Sequence, residues 1–178
     1  MPRRTASIAA ALSVLMIGAT LISGCGTQNN NTEVVCNTAA DLSSEDALAL
    51  NEEIAELTKS IEINPKDAVA YYNRANAKYN LKDCQESIAD YNKAIEINPQ
   101  YADAYSERAF AKYYFKDFEG AIADFNKVIG FNPQDALAYR VRGTNKDLIG
   151  DLKGACVDWK EASSLGNIYA AELVKDQC

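Results

Sequence analysis

Residues 71–99, YYNRANAKYNLKDCQESIADYNKAIEINP, lie in register over residues 105–133, YSERAFAKYYFKDFEGAIADFNKVIGFNP, and again over residues 139–167, YRVRGTNKDLIGDLKGACVDWKEASSLGN. The register is punctuated by Asn64 and Pro65, Asn98 and Pro99, and Asn132 and Pro133, each pair 34 residues from the next. A fixed period of this length marks stacked helix-turn-helix units, in which one unit cannot bury its apolar face alone. With residues 68, 102 and 136 as position one, position eight is small (Ala75, Ala109, Gly143), and so is position twenty (Ser87, Ala121, Ala155). Position twenty-seven follows suit with Ala94, Val128 and Ala162. Position twenty-four is large, with Tyr91, Phe125 and Trp159, whose rings fill the space that small residues leave between close helices. Trp159 is therefore read as core rather than as a platform for a ligand.

This pattern, with Tyr71, Tyr105 and Tyr139 at position four, resembles the tetratricopeptide repeat and covers residues 68–167 as three units. The resemblance implies an all-α, right-handed solenoid of helix pairs. The expected units are a half repeat over 44–67, full repeats over 68–101, 102–135 and 136–169, and a cap over 170–178. The half repeat ends AELTKSIEINP, with Leu57 and Ser60 at packing positions but Glu53 where a small residue is expected. Ser43 or Ser44 can cap its first turn. At the other end LGN replaces INP, and NIYAAELVKDQC supplies a short closing helix over the terminal apolar face.

Position seven, usually leucine in this family, is Arg74, Arg108 and Arg142, while position twenty-three is Asp90, Asp124 and Asp158. A hairpin turning near position fifteen sets the two opposite each other, which predicts three arginine–aspartate pairs within helix pairs. An arginine row for an anionic ligand is the other reading, and the matched aspartates weigh against it. Such pairs give register more than stability, because desolvation offsets much of the Coulomb gain. Lys78, Lys112 and Lys146 recur at position eleven and are expected to pack their stems while their heads stay in water.

The 178 residues hold 18 Lys plus Arg, 25 Asp plus Glu, no histidine and five cysteines. At 48% hydrophobic and 24% charged this describes one globular domain. Without histidine, Ser-His-Asp and Cys-His hydrolysis, HExxH zinc sites and haem-ligating imidazoles are excluded. A net charge of -7 also disfavours nucleic-acid binding, which depends on neutralising phosphates. No cofactor and no metal is expected.

Arg3 and Arg4 precede an apolar run from Ile8 to Leu21, and LISGC follows at 21–25. That is the layout of a secretory signal, with an apolar segment short for a spanning helix of ~20 residues. Ile22, Ser23, Gly24 and Cys25 resemble the lipobox of bacterial lipoproteins, which implies cleavage after residue 24 and lipidation of Cys25. Removal of residues 1–24 takes two arginines and no acid, leaving 16 bases against 25 acids, a net charge of -9. Acyl chains rather than a basic patch would then hold the chain on a membrane. Residues 25–43 read as a polar tether. The expected location is the cell envelope, and Gly26 after Cys25 resembles the default of sorting to the periplasmic face of the outer membrane where two membranes exist.

Four cysteines remain in a compartment that permits disulfides. Cys156 lies ten residues before Gly166 and Cys178 twelve after it, so a hairpin turning at Gly166 brings them to similar height. At 1.5 Å per residue the offset is ~3 Å, within reach of a disulfide. Cys36 with Cys84 follows mainly by elimination. Buried free thiols and a metal site are the alternatives, and no CxxC spacing favours the latter.

In tetratricopeptide arrays positions two, five, six, nine, twelve and thirteen line the concave groove. Here these are Val69, Tyr72, Asn73, Asn76, Tyr79 and Asn80; then Asp103, Ser106, Glu107, Phe110, Tyr113 and Tyr114; then Leu137, Arg140, Val141, Thr144, Asp147 and Leu148. Of these, Tyr72, Asn76, Tyr79, Phe110, Tyr113, Tyr114, Arg140 and Thr144 are the candidates for peptide contact. Rigid rings give contact area at small entropy cost and amides pair a peptide backbone. Tyr79 and Tyr114 could equally pack between repeats. The basic and asparagine clamp by which co-chaperones of this family hold acidic C-termini is absent, since only Asn76 survives from it. The resemblance thus implies a protein-interaction adaptor of the envelope rather than an enzyme, with proteins or peptides as partners. A passive spacer, or a wall hydrolase using Asp103 and Glu107, are the alternatives.

Overall fold

The computed structural model describes residues 42–178, which form eight α-helices and no strand. These are α1 (Ser44–Ile63), α2 (Ala68–Asn80), α3 (Cys84–Ile97), α4 (Ala102–Tyr114), α5 (Phe118–Phe131), α6 (Ala136–Leu148), α7 (Leu152–Ser164) and α8 (Ile168–Gln177). Each packs against the helix before and after it, and α2 also touches α4. The three full repeats are α2 with α3, α4 with α5, and α6 with α7. The single helix α1 precedes them and α8 closes the stack.

The turns explain where the helices stop. Within each pair the chain reverses through a residue in the left-handed region, Lys82 (φ 68), Lys116 (φ 62) and Gly150 (φ 87). The next residue, Asp83, Asp117 or Asp151, then caps the second helix by accepting from the amide of Glu86, Gly120 or Gly154. Between pairs, the Oδ1 atoms of Asn98 and Asn132 accept from the amides of Gln100 and Gln134, forming local turns around Pro99 and Pro133. The last connection differs. Gly166 (φ 92) donates to the Ser163 carbonyl and Asn167 to that of Ala162, a tight glycine stop. Asn167 caps α8 at the Ala170 amide, so α8 starts two residues ahead of the 34-residue register.

The core is the pairing of small and large residues read from the repeat. Tyr91, Phe125 and Trp159 are each 1% exposed, against Ala75, Ala109 and Gly143 across the helix pair. Trp159 is the bulkiest ring and Gly143 the smallest of its partners. A Cβ at Gly143 would lie 2.7 Å from Trp159 Nε1, and that nitrogen donates to the Arg140 carbonyl at 3.2 Å.

A second, polar layer runs along the stack. In each repeat the arginine at position seven binds the aspartate at position twenty-three through two nitrogens: Arg74 to Asp90 at 2.7 and 2.7 Å, Arg108 to Asp124 at 2.9 and 2.6 Å, Arg142 to Asp158 at 2.8 and 2.6 Å. Each guanidinium also sits over the tyrosine three residues before it, 5.3 to 5.5 Å from the ring centre of Tyr71, Tyr105 or Tyr139. Its remaining nitrogen reaches back to the preceding unit, donating to Thr58 Oγ1, Asn92 Oδ1 and Asn126 Oδ1 in turn. The lysines correct the expectation of solvated heads. Lys78, Lys112 and Lys146 each bring Nζ to 2.9 Å from the same aspartate, because positions seven and eleven lie one turn apart on one helix face. Each of these three buried aspartates is thereby held by two cations.

At the closing end Cys156 and Cys178 are joined, with Cα atoms 5.8 Å apart, tying the end of α8 to α7. Ala170, Leu173 and Val174 of α8 pack on the cluster around Trp159 and Ala162. Cys84 is fully buried and disulfide-bonded. Its expected partner Cys36, the lipid-attachment candidate Cys25 and the leader and tether lie outside the described residues.

Candidate functional site

The first helices of the three repeats, α2, α4 and α6, carry the positions expected to line the concave side, and packing sorts them into distinct kinds. Tyr72 stacks on Tyr101, ring centres 4.9 Å apart, and lies 6.0 Å from the buried Tyr91. Phe110 meets Phe125 edge-on at 5.4 Å. Tyr113 sits between Tyr114 at 5.4 Å and Phe118 at 5.9 Å. All three are half-buried, one side on the core. Tyr79 and Tyr114 pair with each other at 6.0 Å and, with Phe115, cover Cys84. Burial first, then Tyr114, pushes the Tyr79 phenol up from its ordinary range. These two rings pack between the first and second repeats.

The polar candidates are partly committed to the fold. Asn76 accepts from the Tyr91 hydroxyl at 2.5 Å, so the one surviving clamp asparagine already has a partner. Thr144 donates to the Arg140 carbonyl of its own helix. Val141 departs from the expected lining: it is 5% exposed and belongs to the core cluster of Phe125 and Val128, so the third repeat offers no side chain at that position.

Two charged groups stand apart. Glu107 is half-buried on α4, one turn after the exposed Asp103, and no described cation lies within 4 Å of either. Burial first, then Asp103, pushes the Glu107 carboxyl above the usual carboxylate range. Arg140 on α6 is also half-buried; its Nε is enclosed and makes no hydrogen bond among the described residues. Burial lowers its guanidinium.

Tyr101 is a ring neighbour of Tyr72 that the sequence reading missed. It stands where Asp67 and Asp135 cap the first helices of the neighbouring repeats, makes no capping bond, and lays its ring on Tyr72 instead. The broken cap pattern was the available signal.

The model of the tetratricopeptide repeat family matches residues 68–101. No curated protein matches the chain. A crystal structure of MamA superposes with a TM-score of 0.68 at 17% identity, covering 77% of this chain and 82% of that one. The Arabidopsis OM64 TPR domain does so with a TM-score of 0.57 at 27% identity, covering 61% of this chain and 91% of that one. The first TPR of Spaghetti (RPAP3), bound to the HSP90 peptide SRMEEVD, gives a TM-score of 0.57 at 24% identity over 61% of this chain and 87% of that one. The matched repeat at residues 68–101, the recurring small and large positions and the stacked helix pairs together show a tetratricopeptide-repeat fold.

Proposed function

We propose that this protein is an envelope adaptor: a lipid-anchored repeat domain whose concave side holds a segment of a partner protein. The observation that carries the reading is the half-buried aromatic strip of Tyr72, Tyr101, Phe110 and Tyr113, anchored on the core along one side. Rings already fixed by packing lose little freedom on binding, so their contact area converts efficiently into affinity. The peptide held by the similar RPAP3 domain is consistent with this use of the fold. An acidic C-terminus is not the expected occupant here, because Tyr72, Glu107, Leu137 and Val141 stand where a clamp would need basic or amide groups. Attachment at Cys25 is supported by the lipobox-like ISGC at 22–25 behind an apolar run.

Cross-linking in the source cell, read by mass spectrometry, tests the groove. Partners recovered by the natural protein should be lost when Tyr72, Phe110 and Tyr113 are changed to Ala; unchanged recovery removes the groove from the account, and no specific partner at all points to a spacer. Cys25→Ser should release the protein from membranes, and continued retention there would count against lipidation.

A further inference from the structure

Charge is treated in two ways in this molecule. Asp90, Asp124 and Asp158 each receive an arginine and a lysine from their own repeat. Glu107 and Arg140 are half-buried on successive first helices, are not ion-paired with each other, and have no partner of opposite charge within 4 Å among the described residues. A charge withdrawn from water without a partner is costly, and a fold that supplies two cations to each buried aspartate supplies none here. The aromatic strip runs beside the acidic point: Phe110 lies one turn from Glu107 on α4. The positions that line the concave side hold Asp103, Glu107 and Asp147 against the single base Arg140, on a chain of net charge -7.

We propose that the groove takes a peptide segment that sets a lysine or arginine side chain against Glu107 and Asp103, and an acidic side chain against Arg140. This rests on the groove being the binding surface. The occupant completes both charges, as the lysine and arginine of each repeat complete its aspartate. The long stem of a basic side chain lies along the Phe110 ring, which adds apolar contact to the ion pair. Burial has already stripped part of the water from both groups, so less desolvation remains when the partner arrives, and pairing a partly desolvated charge is worth more than pairing an exposed one. Because the two charges have opposite sign and sit on different helices, they also fix which way round the segment lies.

The test is selection of a random twelve-residue phage-displayed peptide library on the immobilised full chain, followed by anisotropy titration of the recovered peptides at low and high salt. Recovered peptides should carry a basic and an acidic residue with apolar neighbours. Glu107→Gln should weaken them about tenfold, and Arg140→Gln by a similar factor, with the difference shrinking at high salt. Glu107→Lys should shift the selection toward peptides acidic at that point. Thermal melts of the Gln variants close to the natural protein show that the loss is not unfolding. Peptides that lose affinity with Phe110→Ala but ignore both Gln variants overturn the charge assignment and leave the groove standing. Peptides indifferent to Tyr72→Ala, Phe110→Ala and the charge variants alike, or no recovered peptide, overturn the groove reading and this proposal with it.

Discussion

The seams and the groove of this array are built from the same helices under opposite rules. Along the seams, each repeat gives the same answer: tyrosine at position four, arginine at seven, lysine at eleven and aspartate at twenty-three, in all three units. Along the groove, no position holds one residue through all three repeats; position five is Tyr72, Ser106 and Arg140, and position six is Asn73, Glu107 and Val141. The repeated residues satisfy one another inside the chain, whereas Glu107 and Arg140 have no such partners among the described residues. Stacking needs every unit to offer its neighbour the same surface, so sameness belongs to the fold. Recognition of one segment needs successive units to differ.

Substitutions can break this division, beginning where the effect should be largest. Asp124→Ala would leave Arg108 and Lys112 facing each other without their shared anion, and about 3–5 kcal/mol of stability should be lost in denaturant unfolding. A loss below about 1 kcal/mol would mean the triads are solvated and the division is false. Gly143→Ala pushes a methyl group against Trp159 and should cost about 1–3 kcal/mol; a neutral result would show that the ring has room to move. Lys116→Gly relieves a left-handed backbone and should gain about 1 kcal/mol, bringing the second turn to the condition of Gly150.

The smallest effect lies in the groove. Burial and Asp103 raise the Glu107 carboxyl in the folded state, so the folded chain keeps that proton to higher pH than the unfolded chain does. Its contribution is therefore fully present below the unfolded value and is lost as pH rises through the folded value. Melting temperatures followed upward through the window just above the ordinary carboxylate range should fall less for Glu107→Gln than for the natural protein. Equal slopes would place Glu107 in open water.

Much of this was legible in the chain. The period, the small and large positions and the arginine–aspartate pairing follow from residues that recur, and recurrence exposes a structural demand without any coordinates. The lysines were misplaced because each was weighed alone. Arg74 and Lys78 are four residues apart, and that spacing sets both heads on Asp90 once they are considered together. The inter-repeat bonds to Thr58, Asn92 and Asn126 escaped notice because they join position seven of one unit to position twenty-five of the unit before it. A reading made within single units cannot see them. Val141 and Tyr101 escaped for a different reason: both are exceptions to the repeat, and the register says only what the average unit does. Val141 turned into the core, and Tyr101 gave up a helix cap for a ring contact.

Packing of each helix on its immediate neighbours has a kinetic consequence. Nearly all contacts close short stretches of sequence, so little loop entropy stands between the unfolded chain and its first stable pair. Helical proteins dominated by such local contacts fold in roughly microseconds to milliseconds. A chain that emerges unfolded, one end first, can then assemble its first hairpins while later repeats are still arriving.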